Sequence, residues 1–228
     1  MIGSRSQRTL RICVLAVLVA LFASACLPSN PSSGRATPVR RVLLLGDSVT
    51  YGLFSTSPRV HEPLSAMLAD RGVGLHVTGF PAENPIFTWP GHLSWSLRMR
   101  HEIETWNPDM VVIQTMLFTD ADRPERVAAY RSAIAELMDL AKARGAHVYI
   151  VSHHGVPGTS WARERDVAQS LQASAASSRG ISTIPLDWWM QRCEGGVIGD
   201  GVHLTEAGQR CHALAITFAV DQLRDTVG

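Results

Sequence analysis

The sequence predicts an α/β fold, a parallel five-stranded sheet with helices on both faces. Three observations predict it. Five short apolar runs recur along the chain, as strands buried on both faces require. Helix-period stretches lie between them. Glycines and prolines mark most of the junctions.

Val39–Leu45 reads as the first strand and runs straight into "GDSVTYG". Pro58–Arg71 is helical and is closed by Gly72, and Gly74–Phe80 is a short second strand. Leu93–Trp106 forms a second helix, after which Pro108 punctuates and Met110–Thr115 makes the third strand. Pro124 opens the clearest helix. Val127, Tyr130, Ile134, Leu137, Met138 and Ala141 fall three and four apart, and Gly145 stops it. Ala146–Ser152 is the fourth strand. Glu164–Arg179 is a helix striped by Val167, Leu171 and Ala175 and ended by Gly180. Ile181–Leu186 is the fifth strand, and Thr205–Leu223 is the last helix. Apolar strands alternating with amphipathic helices make a parallel sheet covered on both faces.

At 228 residues the chain is long enough for one domain with a sizeable core. A hydrophobic share of 46%, a charged share of 18% and a net charge of +1 exclude a strongly basic nucleic-acid binder. Residues 1–26 stand apart. Arg5, Arg8 and Arg11 precede the apolar run Ile12–Phe22, and Ala23-Ser24-Ala25 precedes Cys26. This is the arrangement of an export signal, and the apolar run is short for a bilayer span. Two endings stay open: cleavage after Ala25, or a lipoprotein signal with Cys26 as the lipidation site and membrane anchor. Loss of three arginines would leave 18 basic residues against 20 acidic ones. Residues 27–38, "LPSNPSSGRATP", read as a flexible tether, and 39–228 as the folded domain. Cys193 and Cys211 then remain as an even pair in a chain bound for an oxidising compartment. They are read as a disulfide, with two buried thiols as the alternative.

Ligands of parallel α/β sheets sit outside the carboxyl ends of the strands. Asp47, Ser48, Ala82, Asn84, Thr115, His153, His154 and Asp187 fall there. A serine hydroxyl is a poor nucleophile until a positioned base takes its proton, and that base needs a partner to hold its tautomer. Ser48 lies at a strand-to-helix turn between Gly46 and Gly52. Far downstream, "DGVH" puts Asp200 and His203 three residues apart in one loop. Only the meeting of His203 with Ser48 then depends on the tertiary fold. Adjacent His153 and His154 lack a third ligand at suitable spacing for a metal. Trp89, Trp95, Trp161, Trp188 and Trp189 are packing residues or, alternatively, a sugar-stacking platform.

At these residues the chain resembles the SGNH (GDSL-type) hydrolase superfamily. "LLLGDSVTYG" is similar to its first block, "DGVHLTEAG" to its last, and "NPDMVVIQ" to the strand leading into its third. The resemblance implies a three-layer α/β/α sandwich with a five-stranded parallel sheet, a flavodoxin-like fold, and no cofactor or metal. It implies Ser48 as nucleophile, His203 as base and Asp200 as its orienter. The oxyanion donors would be the Ser48 N–H and an N–H at Gly79 or Ala82. The family's third block carries an oxyanion asparagine, where this chain has Phe118 or a neighbour; Gln114, Thr115 or Asn84 would have to substitute. Asn84, Thr115, His153 and His154 are the candidate substrate contacts. The implied activity is hydrolysis of O-acyl esters on a small molecule, or on a carbohydrate or lipid of the cell envelope. The alternatives are a non-catalytic carbohydrate- or lipid-binding relative and an O-acyltransferase of envelope glycans.

Overall fold

A strand with apolar residues on both faces must lie inside a covered sheet. β1 (Arg41–Leu45) does: Val42 to Leu45 are all fully buried. The computed structural model describes residues 38–51, 59, 61–78, 92–115, 122–154, 162–199 and 201–225, excluding the side chains of 51 and 92–96. Around β1 stand β2 (Gly74–Thr78), β3 (Met110–Ile113), β4 (His147–Val151) and β5 (Ser182–Ile184), all parallel, in the order β2-β1-β3-β4-β5. This is the doubly wound order in which the chain reverses direction between β1 and β3, opening a crevice at their carboxyl ends.

Alternation along the strands sorts their side chains into two cores. Val42, Leu44, Met110 and Val112 face α2 (His61–Ala69) and α7 (Glu206–Asp225). Leu43, Leu45, Val111 and Ile113 face α3 (His92–Trp106), α4 (Pro124–Ala143) and α5 (Ala162–Ser177). The result is the expected three-layer sandwich. Two short helices complete it, α1 (Ser48–Tyr51) after β1 and α6 (Leu186–Arg192) after β5.

Several boundaries differ from the sequence reading, each for a local reason. Residue 59 is not helical, and α2 starts at His61 rather than Pro58. β1, β3, β4 and β5 are two or three residues shorter than their apolar runs, although the Gln114 N–H still reaches the Leu45 carbonyl at 2.8 Å beyond the end of β3. The fifth strand was expected to reach Leu186 but stops at Ile184. Pro185 has no N–H to continue a ladder, and its φ of −79° sets it as the residue before α6. Leu186 therefore begins a helix, its N–H bonded to Ser152 Oγ at 3.0 Å. α5 begins at Ala162, two residues before the expected Glu164, and α7 runs on to Asp225.

Paired charges tie the outer layers. Arg71 makes two bonds to Asp221, 2.7 and 2.9 Å, from the end of α2 to α7. Its guanidinium holds the Asp221 carboxyl below the usual range. Arg179 grips Asp139 the same way between α5 and α4. Among the described residues no helix is long and apolar enough to cross a membrane.

Candidate active site

The turn from β1 into α1 is built around a close approach. A side chain at Gly46 would collide with the Thr50 side chain, so only glycine lets the chain fold back there. The Gly46 N–H bonds the Thr78 carbonyl of β2 at 3.0 Å, and Asp47 Oδ1 accepts the Val49 N–H at 2.9 Å. Asp47 is fully buried, as are Val49 and Thr50. These contacts leave Ser48 partly exposed at the carboxyl edge of the sheet.

The loop before α7 is shaped differently. Val197 and Leu204 form an antiparallel bridge, the Ile198 N–H bonds the His203 carbonyl at 2.8 Å, and the Gly201 N–H bonds the Ile198 carbonyl at 2.9 Å. Thr205 Oγ1 accepts the Gly208 N–H at 3.2 Å, capping α7. Gly208 permits the crossing, since a Cβ there would strike the Gly196 carbonyl. A disulfide joins Cys193 to Cys211, 18 residues apart, and encloses the whole loop.

The two pieces meet. His203 Nε2 lies 3.0 Å from Ser48 Oγ, across 155 residues of sequence. His203 is 7% exposed, and the open side of the pair is that of the partly exposed Ser48. Asp200, Gly79, Ala82, Asn84, Phe118 and Cys26 lie outside the described residues, as do Trp89 and Trp161.

Behind this pair lies a buried polar layer that sequence reading only touched. The Thr115 carbonyl, just past β3, accepts from Tyr130 Oη at 3.0 Å, from His153 Nε2 at 2.6 Å and from Gln172 Nε2 at 2.6 Å. A carbonyl only accepts, so the His153 proton sits on Nε2. Burial drives the Tyr130 phenol above its ordinary range. Burial likewise lowers His153 to about 4, partly opposed by its bond to Thr115. His154 also falls to about 4, through burial and then the neighbouring His153, with the Val202 main chain opposing. His212 on α7 falls to about 3, again chiefly through burial, and neither of its ring nitrogens finds a hydrogen-bond partner. Thr115, His153 and His154 thus stand at the carboxyl edge but beneath its surface, each at most 7% exposed. Among the described residues no three His, Cys, Asp or Glu side chains converge to hold a metal ion.

Sequence reading missed Thr50, Gln172 and His212. Each is a polar residue fully or almost fully buried; for Gln172 and His212 the available signal was a polar residue standing on a helix's apolar stripe. Trp189 packs edge-on against Trp188 and tilted on Phe218. Trp188 is 45% exposed with Arg192 stacked 3.9 Å from its ring. The groove beside these rings, along β5 and α7, shares no lining residue with the Ser48–His203 pair.

Residues 44–211 match the model of the GDSL-like Lipase/Acylhydrolase family. No curated protein matches the chain. Among solved structures, the chain resembles a GDSL-like lipase from Bacteroides thetaiotaomicron, with 21% identity over 89% of this chain and 95% of that one and a TM-score of 0.55. It resembles a family 3 carbohydrate esterase from Clostridium thermocellum at 15% identity, covering 83% and 99%, TM-score 0.60. It also resembles an acetylxylan esterase from Geobacillus stearothermophilus at 13% identity, covering 82% and 96%, TM-score 0.61. At these identities the likeness is one of fold.

Proposed function

Because the chain belongs to the GDSL-like lipase/acylhydrolase family, within the SGNH superfamily, we propose that it is a serine esterase acting through Ser48 and His203. The observation that carries this reading is the 3.0 Å approach of His203 Nε2 to Ser48 Oγ. At that distance the imidazole accepts the hydroxyl proton as the oxygen attacks an ester carbonyl, then returns it to the leaving alcohol. Asp200, three residues before His203, is assigned to hold the ring tautomer. The Ser48 N–H and an N–H at Gly79 or Ala82 are assigned to the oxyanion. Water then attacks the acyl-serine and releases the acid, regenerating the hydroxyl.

The substrate class we assign is an O-acyl ester of a carbohydrate or lipid in the cell envelope. Two proteins of similar fold are by name a carbohydrate esterase and an acetylxylan esterase, and residues 1–26 carry the pattern of an export signal. Lipidation at Cys26 belongs to the same proposal. Asn84 is assigned to the substrate side of the site, while Thr115, His153 and His154 support that side from beneath the surface. The replacement of the family's third-block asparagine by Phe118 favours one second reading, a relative that binds acylated glycans without cleaving them.

Hydrolysis of p-nitrophenyl acetate by wild type and by Ser48→Ala separates the two. Esterase function requires a loss of about 10⁴-fold or more in the variant. Equal rates in both proteins would leave the binding reading.

A further inference from the structure

The nucleophile turn is anchored from behind, and one of its anchors is a buried side-chain bond. Thr50, two residues after Ser48 on α1, donates its hydroxyl to Gln114 Oε1 at 2.9 Å. Both residues are 0% exposed. Gln114 follows β3, and its own N–H bonds the Leu45 carbonyl at the end of β1. The next residue is Thr115, whose carbonyl gathers three donors, from α4, from the segment after β4 and from α5. A continuous set of bonds therefore runs from α1 through Thr50 and Gln114 to the far helical layer.

The amide at Gln114 is costly where it sits. Among the described residues its buried Nε2 has no hydrogen-bond partner, a penalty that a methionine of similar shape would avoid. The half of the amide that is satisfied faces Thr50. Thr50 in turn fills the space that Gly46 leaves open, so its side chain has one place to be.

We infer that Gln114 and Thr50 are positioning residues for Ser48, the buried hydrogen bond between them fixing α1 so that the Ser48 hydroxyl meets His203. This rests on the serine-esterase reading above. Both side chains are buried, including that of Gln114, a sequence candidate to replace the oxyanion asparagine. Their effect passes through the turn, where a displacement of about 1 Å can cost 10²-fold in rate.

The test uses the whole chain and four variants: Thr50→Val, which keeps the shape and removes the hydroxyl, Thr50→Ser, which keeps the hydroxyl, Gln114→Met, and the Thr50→Val/Gln114→Met double. Active sites are first counted by fluorophosphonate labelling, so unfolded protein does not enter the rates. The labelling rate at Ser48, and kcat and KM for p-nitrophenyl acetate, are then measured. Thr50→Val and Gln114→Met should each lower kcat and the labelling rate about tenfold with KM unchanged. The double should fall no further than the worse single, and Thr50→Ser should recover most of the loss.

Unchanged rates in Thr50→Val, multiplying losses in the double, or a Thr50→Ser as slow as Thr50→Val would overturn the inference and leave the esterase reading standing. A wild type that takes no label at Ser48 would overturn both.

Discussion

The two halves of the candidate site are held by different means. The nucleophile turn depends on buried polar bonds: Asp47 to Val49, Thr50 to Gln114, and the triple-donor carbonyl of Thr115 behind them. The histidine loop depends on main-chain bonds among residues 196–205 and on a covalent clasp from Cys193 to Cys211. The first half lies on β1 and β3 in the middle of the sheet, where every side chain has neighbours on both faces. The second hangs between α6 and α7 at the periphery, where packing alone holds less and a crosslink compensates. Central residues are sensitive to volume and protonation, whereas peripheral ones are sensitive to chain constraint.

Acid should produce the largest effect, and it strikes the buried polar side first. His153 and His154 are held neutral at about 4 and His212 at about 3, against about 6.5 when unfolded. The unfolded chain therefore binds more protons between those values. The stabilisation is complete above about pH 6.5 and is lost as pH falls toward 4, on the order of 3 kcal/mol for one such histidine. Urea midpoints at pH 7 and pH 4.5 measure it. His212→Leu, which removes a ring with no hydrogen-bond partner, should be neutral or stabilising at pH 7 and should make the acid loss shallower. An unchanged midpoint between the two pH values would show that burial does not keep these rings neutral.

Reduction attacks the other half. Opening a loop of 18 residues' separation should cost about 3 kcal/mol, read as a lower urea midpoint in reductant and in the Cys193→Ser/Cys211→Ser double. kcat should fall with it, because the loop that carries His203 is the one released. Full activity in folded, reduced protein would mean that the main-chain bonds suffice.

Gly46→Ala sharpens the contrast from the nucleophile side. The added methyl collides with Thr50, and the turn must shift, costing about 1–3 kcal/mol in stability and about 10²-fold in kcat. The smallest effect belongs outside both halves. Asp221→Asn breaks a pair with Arg71 whose side chains are 33% and 39% exposed, so the urea midpoint should move by less than about 1 kcal/mol with kcat unchanged.

What could be read from sequence divides along the same line. The strands were legible because a parallel sheet writes itself as continuous apolar runs, and the helix stops because Gly72, Gly145 and Gly180 take positive φ. Ser48 and His203 were legible because their chemistry demands those residue types beside glycine turns. Thr50 and Gln114 were not. A buried threonine in one turn and a glutamine after one strand carry no mark of their partnership, which exists only through the pairing of β1 with β3. α6 escaped because Leu186 extends an apolar run, and only the missing N–H of Pro185 ends the strand.

The span of 155 residues between serine and imidazole has a consequence for synthesis. The hydroxyl leaves the ribosome early, while the imidazole follows only after all five strands have been made. On the mechanism proposed above, a nascent or prematurely terminated polypeptide would carry an unarmed alcohol until the last helix docks.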